Sequence, residues 1–211
     1  MWILPACAVL CLGVCLPLFL HYKPLRPSLA ASFKFLGTLC ALIPALVASL
    51  RLDPLYWIFV AALALHAAAD YLIEFSLEAG AGLFLLGHIC YIIGFLKLYP
   101  LTPAHGILLL GFLSFLGYLF YRHRRLIGNH LLPFSVYGAA LCIMAAGGIA
   151  GGASIYGWKG ILTAIGAALF FFSDCLIFRR LLFPERARHD ILIMVTYYLA
   201  QLLLSASCLL F

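Results

Sequence analysis

Two aspartates, Asp70 and Asp174, interrupt apolar stretches of this chain and share a local pattern, Asp70-Tyr-Leu-Ile and Asp174-Cys-Leu-Ile. A carboxylate in an apolar helix is expensive, so it needs a partner or a task. Two neighbouring carboxyl groups in a low-dielectric setting titrate apart, which lets one carry a proton while the other is ionised. That is the requirement for acid/base catalysis. Other polar residues break the apolar runs as well: Lys34, His88, Tyr91, Tyr137, Tyr197, Tyr198 and Gln201, with His66, Glu74 and Thr196 nearby. Singly, each has an ordinary role. A lysine snorkels to the interface, a tyrosine joins an interfacial belt, and a histidine or amide cross-links helices. Collected at comparable depth, they predict a shared polar cavity.

The elements that must position them follow from composition. The chain has 211 residues, 66% hydrophobic and only 9% charged, with a mean hydropathy of +1.15. Soluble domains do not reach these values. A spanning helix takes about 20 apolar residues, so the sequence predicts an all-α, polytopic bundle of about eight helices forming a single transmembrane domain over 1–211. The apolar segments run approximately over 2–20, 29–50, 55–74, 80–98, 104–121, 131–151, 159–178 and 190–210. Turn or charge signals separate them, among them Lys23-Pro-Leu-Arg-Pro27, Arg51-Leu-Asp-Pro54 and the stretches Arg122 to Asn129 and Arg179 to Asp190. The first run lacks a preceding charge and a clear cleavage site, so it reads as a retained helix.

Charge and cysteine usage narrow the function classes. The loops after segments 1, 3, 5 and 7 carry nine basic residues: Lys23, Arg26, Arg122, Arg124, Arg125, Arg179, Arg180, Arg186 and Arg188. The alternate loops carry three, Arg51, Lys97 and Lys159. The positive-inside rule places the richer side in the cytoplasm and both termini on the other side. The net charge of +6 reflects this asymmetry and attraction to anionic lipid, so no nucleic-acid partner is expected. The eight cysteines contain no Cys-x-x-Cys pair and read as small buried hydrophobes. No His-x-x-x-His or Glu-x-x-His pattern marks a metal site, and no cofactor is expected. No Gly-x-Ser-x-Gly elbow points to a serine esterase.

With this topology, segments 3 and 7 run in the same direction, and each Asp lies about five residues from the cytoplasmic end, roughly 7 Å deep. The shared motif, four segments apart, points to two four-helix repeats related by a pseudo-twofold axis.

Several strings resemble the YhhN family of membrane proteins, which includes the mammalian lysoplasmalogenases. They are Leu169-Phe-Phe-Phe-Ser-Asp174, Thr196-Tyr-Tyr-Leu-Ala-Gln201, Asp70 before Leu-Ile, His88-Ile-Cys-Tyr91, Tyr137-Gly138 and Phe33-Lys34. The likeness runs from about Lys34 to Ser207, with Ala69-Asp70 where relatives commonly carry Gly-Asp. It implies a multi-pass integral membrane hydrolase, in a bacterial cytoplasmic membrane or a eukaryotic endomembrane. Its substrate would be a lysophospholipid whose vinyl ether is cleaved to a fatty aldehyde and a glycerophospho-ethanolamine or glycerophosphocholine.

The residues permit that reaction. One aspartic acid protonates the β-carbon of the enol ether; the other, ionised, stabilises the oxocarbenium ion and activates water. The pair would titrate as a unit, so either Asp can be the acid, and the aromatic neighbours Phe170 to Phe172 favour Asp174. His88, Tyr91, Tyr137, Tyr197, Tyr198 and Gln201 would bind or orient the reacting groups, and Lys34 would meet the phosphate. The competing reading is a proton-coupled carrier for a lipid or small solute, since repeats and intramembrane carboxylates are equally normal there.

Overall fold

The computed structural model describes residues 2–183 and 190–210, and every regular element among them is helical. The elements are α1 (Ile3–Tyr22), α2 (Pro27–Arg51), α3 (Trp57–Leu72), α4 (Leu77–Leu98), α5 (Pro103–Ile127), α6 (Leu131–Ala153), α7 (Trp158–Leu182) and α8 (Asp190–Ser207). Their starts follow local chemistry. Proline opens α2 and α5, where its missing N–H would be unpaired in any case. The Asp53 carboxylate accepts from Leu55 N at 2.8 Å ahead of α3, and the Ser76 hydroxyl accepts from Ala79 N at 3.3 Å at the start of α4.

Seven stretches are long and apolar enough to cross a membrane, and one of them, Pro103–Ala153, has 51 residues. That is more than twice the length of a single crossing. It contains α5 and α6, joined by a 3-10 turn at Gly128–His130, where Gly128 takes a φ of +56°. Leu116 of α5 lies against Gly138 of α6, which is the contact an antiparallel hairpin about that turn requires. Among the described residues the expected eight helices are therefore present.

Two boundaries differ from expectation. The stretch from Arg122, expected as a loop, continues α5 as helix to Ile127, and α7 runs through Arg179 and Arg180 to Leu182. Arginine is a good helix former, and a cation is favoured at a helix C-terminus. Arg124 also donates to the Tyr121 carbonyl at 2.8 Å, with its guanidinium over the Tyr121 ring. Arg186 and Arg188 lie outside the described residues. In α1, a π-helical stretch covers Val9–Cys15. Cys7, Cys11 and Cys15 are all buried, and the Cys11 thiol donates to the Gly37 carbonyl of α2 at 3.1 Å.

The packing repeats with a four-helix offset. Helix α3 packs between α2 and α4 as α7 packs between α6 and α8, and the α2–α8 contact has its counterpart in α6–α4. Close approach needs small residues in places. A Cβ on Gly152 of α6 would stand 2.9 Å from Ala164 N on α7, so only glycine fits there.

Candidate functional site

Asp70, on α3, is wholly buried. Its Oδ2 accepts from Thr38 Oγ1 at 2.5 Å and from the Tyr197 hydroxyl at 2.7 Å. Lys34 Nζ stands 3.7 Å from Asp70 Oδ1 and 3.1 Å from Glu74 Oε1. The spacing explains the arrangement: Lys34 and Thr38 share one face of α2, Asp70 lies in the last turn of α3, and Glu74 stands in the turn just after it, so that both carboxylates meet Lys34. Lys34 is thus held between two carboxylates. The Tyr198 hydroxyl donates to the Lys34 carbonyl at 3.1 Å and ties α8 to α2.

Asp174, on α7, belongs to a second cluster. The Tyr137 hydroxyl donates to Asp174 Oδ2 at 2.6 Å. His88 Nε2 lies 3.1 Å from the Tyr137 oxygen and 3.6 Å from Asp174 Oδ2. With the Tyr137 proton engaged by Asp174, Nε2 is the donor to the tyrosine oxygen.

Between the clusters, Gln201 Nε2 donates to His66 Nδ1 at 2.9 Å, and Tyr91 donates to Gln201 Oε1 at 3.0 Å. His66 Nε2 faces the Phe84 carbonyl at 3.3 Å. The His66 and His88 rings meet edge-on, with centroids 5.2 Å apart. Phe170 packs against both His88 and Tyr197, at 5.0 and 5.6 Å, and so adjoins each cluster.

The expected polar residues therefore converge on one region, yet they bond to one another instead of lining a common cavity. The reason is energetic, because a buried polar group without a partner costs roughly 1–3 kcal/mol. Asp70 and Asp174 are not hydrogen-bonded to each other, and Lys34 is taken up by carboxylates. Thr38 went unread in the sequence. Its one signal is its place a turn beyond Lys34.

A lateral groove of about 500 Å³ opens between α4, α5, α6 and α7, within the range of about 300–1,000 Å³ common for ligand sites. Its walls are apolar: Phe84, Leu85, Leu116, Phe120, Phe134, Leu141, Ile177 and Phe178 contribute. Tyr137 and Asp174 reach it, and Glu78 and His130 line it as well. Asp70, Lys34, Tyr91, Tyr197, Tyr198, Gln201 and His88 do not. Asp174 is accordingly 8% exposed, against 0% for Asp70. Among the described residues, no three potential metal ligands converge.

Eight helices, in stretches long and apolar enough to cross a membrane, with hydrogen-bonded carboxylates beside a lateral apolar groove, define a polytopic integral membrane protein. The chain belongs to the YhhN family, whose model matches residues 29–208, from the first turn of α2 to just past the end of α8. No curated protein and no solved structure matches it.

Proposed function

We propose that this protein hydrolyses the vinyl ether of lysoplasmalogens, with Asp174 as the acid/base group. The observation that carries the reading is the position of Asp174. It stands at the wall of an apolar groove able to take an alkenyl chain, with one carboxyl oxygen held by Tyr137.

The steps balance around this one group. Protonated Asp174 delivers its proton to the β-carbon, and an oxocarbenium ion forms on the ether carbon. Water adds there and gives a proton back to the Asp174 carboxylate. The hemiacetal then collapses as its hydroxyl proton leaves and the departing glycerol oxygen takes one up, yielding the aldehyde and the lysolipid backbone alcohol. Tyr137 and His88 hold the carboxyl group in a single orientation through these changes.

Asp70 has a different task in this scheme. Two hydroxyls donate to one of its oxygens, and the Lys34 ammonium stands 3.7 Å from the other. Shut off from the groove, Asp70 braces α2, α3 and α8 beside the reacting site.

The test is aldehyde release from lysoplasmenylethanolamine by the purified protein in detergent. Native protein is expected to turn over and Asp174→Asn to lose activity. In D2O the aldehyde is expected to carry one deuterium at the carbon next to the carbonyl. Native-level release by Asp174→Asn would overturn the mechanism. No release by the native protein, with proton-dependent solute movement in liposomes, would favour a carrier.

A further inference from the structure

Polar residues line the groove at two levels, one within the helices and one at their ends, here called the mouth, and the two differ chemically. Asp174 lines it eight residues before the end of α7, and Tyr137 six residues into α6. His130 lies seven residues before Tyr137 on the same wall, about 10 Å along a helix axis. Glu78 also lines the groove, exposed in the first turn of α4. Ser76 Oγ approaches one of its carboxylate oxygens only distantly, at 3.5 Å. Among the described residues lining the groove there is no lysine or arginine. The mouth therefore offers an anion and an imidazole, and its acidic member sits beside a long apolar slot.

We infer that Glu78, with His130, forms a head-group subsite that selects lysolipids with an ammonium-bearing, zwitterionic head over those with an anionic head. The inference rests on the proposed placement of a lysolipid in this groove. Its geometry comes from the ligand's own length. Between the ether oxygen and the ammonium of a phosphoethanolamine head lie about nine single bonds, and an extended chain of that length reaches roughly 10 Å. An ether group beside Asp174 thus brings the ammonium to the level of the mouth. There the Glu78 carboxylate meets the cation, and the His130 imidazole faces the phosphate that precedes it. A head group with no cation leaves its negative charge against Glu78, which like-charge repulsion disfavours. A primary ammonium also donates hydrogen bonds to the carboxylate, whereas a quaternary one offers charge alone.

The experiment measures binding of 1-O-alkyl lysophospholipids, saturated ethers that enol-ether chemistry cannot cleave. Chain length is held constant and the head is phosphoethanolamine or phosphoglycerol. The proteins compared in detergent are native, Glu78→Asp, Glu78→Gln and Glu78→Lys. Native protein is expected to favour the phosphoethanolamine lipid by about fivefold, the upper reach of an exposed charge pair. Glu78→Asp retains the order, Glu78→Gln brings the two lipids near parity, and Glu78→Lys reverses it. Glu78 is exposed, so these variants are expected to fold, and unfolding curves check that. The same order in all four proteins, or no preference in the native one, overturns the subsite. With the vinyl-ether lipids, the effect of Glu78→Gln is expected in KM. Glu78-dependent binding without aldehyde release would sink the proposed reaction and leave the subsite standing. Release with no dependence on Glu78 would do the opposite.

Discussion

Asp70 and Asp174 occupy separate hydrogen-bonded clusters, each closed by a tyrosine from another helix. Tyr197 of α8 donates to Asp70 at 2.7 Å, and Tyr137 of α6 donates to Asp174 at 2.6 Å. The arrangement follows the four-helix offset of the bundle. Asp70 on α3 draws its partners from α2 and α8, and Asp174 on α7 draws them from α6 and α4. The symmetry stops at the groove, which only the second cluster reaches. Similar halves thus differ in access, one closed around an ion pair and the other open to the groove.

Tyr137→Phe removes the donor to Asp174 and the acceptor for His88 while leaving the ring in place. Aldehyde release is expected to fall about ten- to a hundredfold, the scale of a buried hydrogen bond of roughly 1–3 kcal/mol. Steady-state kinetics in detergent check this. A variant as active as the native protein would remove Tyr137 from the mechanism.

Lys34→Met leaves the Asp70 and Glu74 carboxylates without their cation. Loss of one partner from a buried ion pair costs about 3–5 kcal/mol, so the variant is expected to unfold well before the native protein on heating. Adding Asp70→Asn and Glu74→Gln should recover much of the loss. If the single variant is as stable as the native protein, the ion pairs contribute nothing to the fold.

Gly82→Leu tests the groove. A Cβ at Gly82 meets no atom within 4 Å, and the residue lines the groove wall. The leucine side chain is expected to take up groove volume with a change in stability within about 0.5 kcal/mol. KM should rise for long alkenyl chains and less for short ones. Unaltered chain-length preference would place the chain elsewhere.

Gly152→Ala puts a methyl group against the α7 backbone, 2.9 Å from Ala164 N and closer still to the Gly160 carbonyl oxygen. Overpacking of this kind costs about 1–3 kcal/mol. The expected outcome is a lower midpoint in thermal unfolding, far from the groove and without a shift in KM.

Much of the architecture was legible in the sequence, because crossing a membrane imposes long apolar runs that show without knowledge of any contact. The helix ends at Ile127 and Leu182 were less so. Their arginines resemble loop residues by polarity, yet they suit the last turns of a helix. Asp70 and Asp174 stood out for the same reason that the spans did: a carboxylate in such a run is conspicuous. Thr38 was silent, since a threonine in an apolar helix is common and only its bond to Asp70 distinguishes it.

By itself, then, the sequence determined the class of protein, the apolar segments and the inventory of polar groups, all of which are properties summed along the chain. The tertiary structure alone decided how those groups divide. It drew Lys34 to two carboxylates, set Tyr197 on Asp70 across 127 residues and Tyr137 on Asp174 across 37, and opened the groove to one aspartate only. Helix rotation and packing across such separations make those choices, and hydropathy along the chain carries no record of which face of one helix meets which face of another.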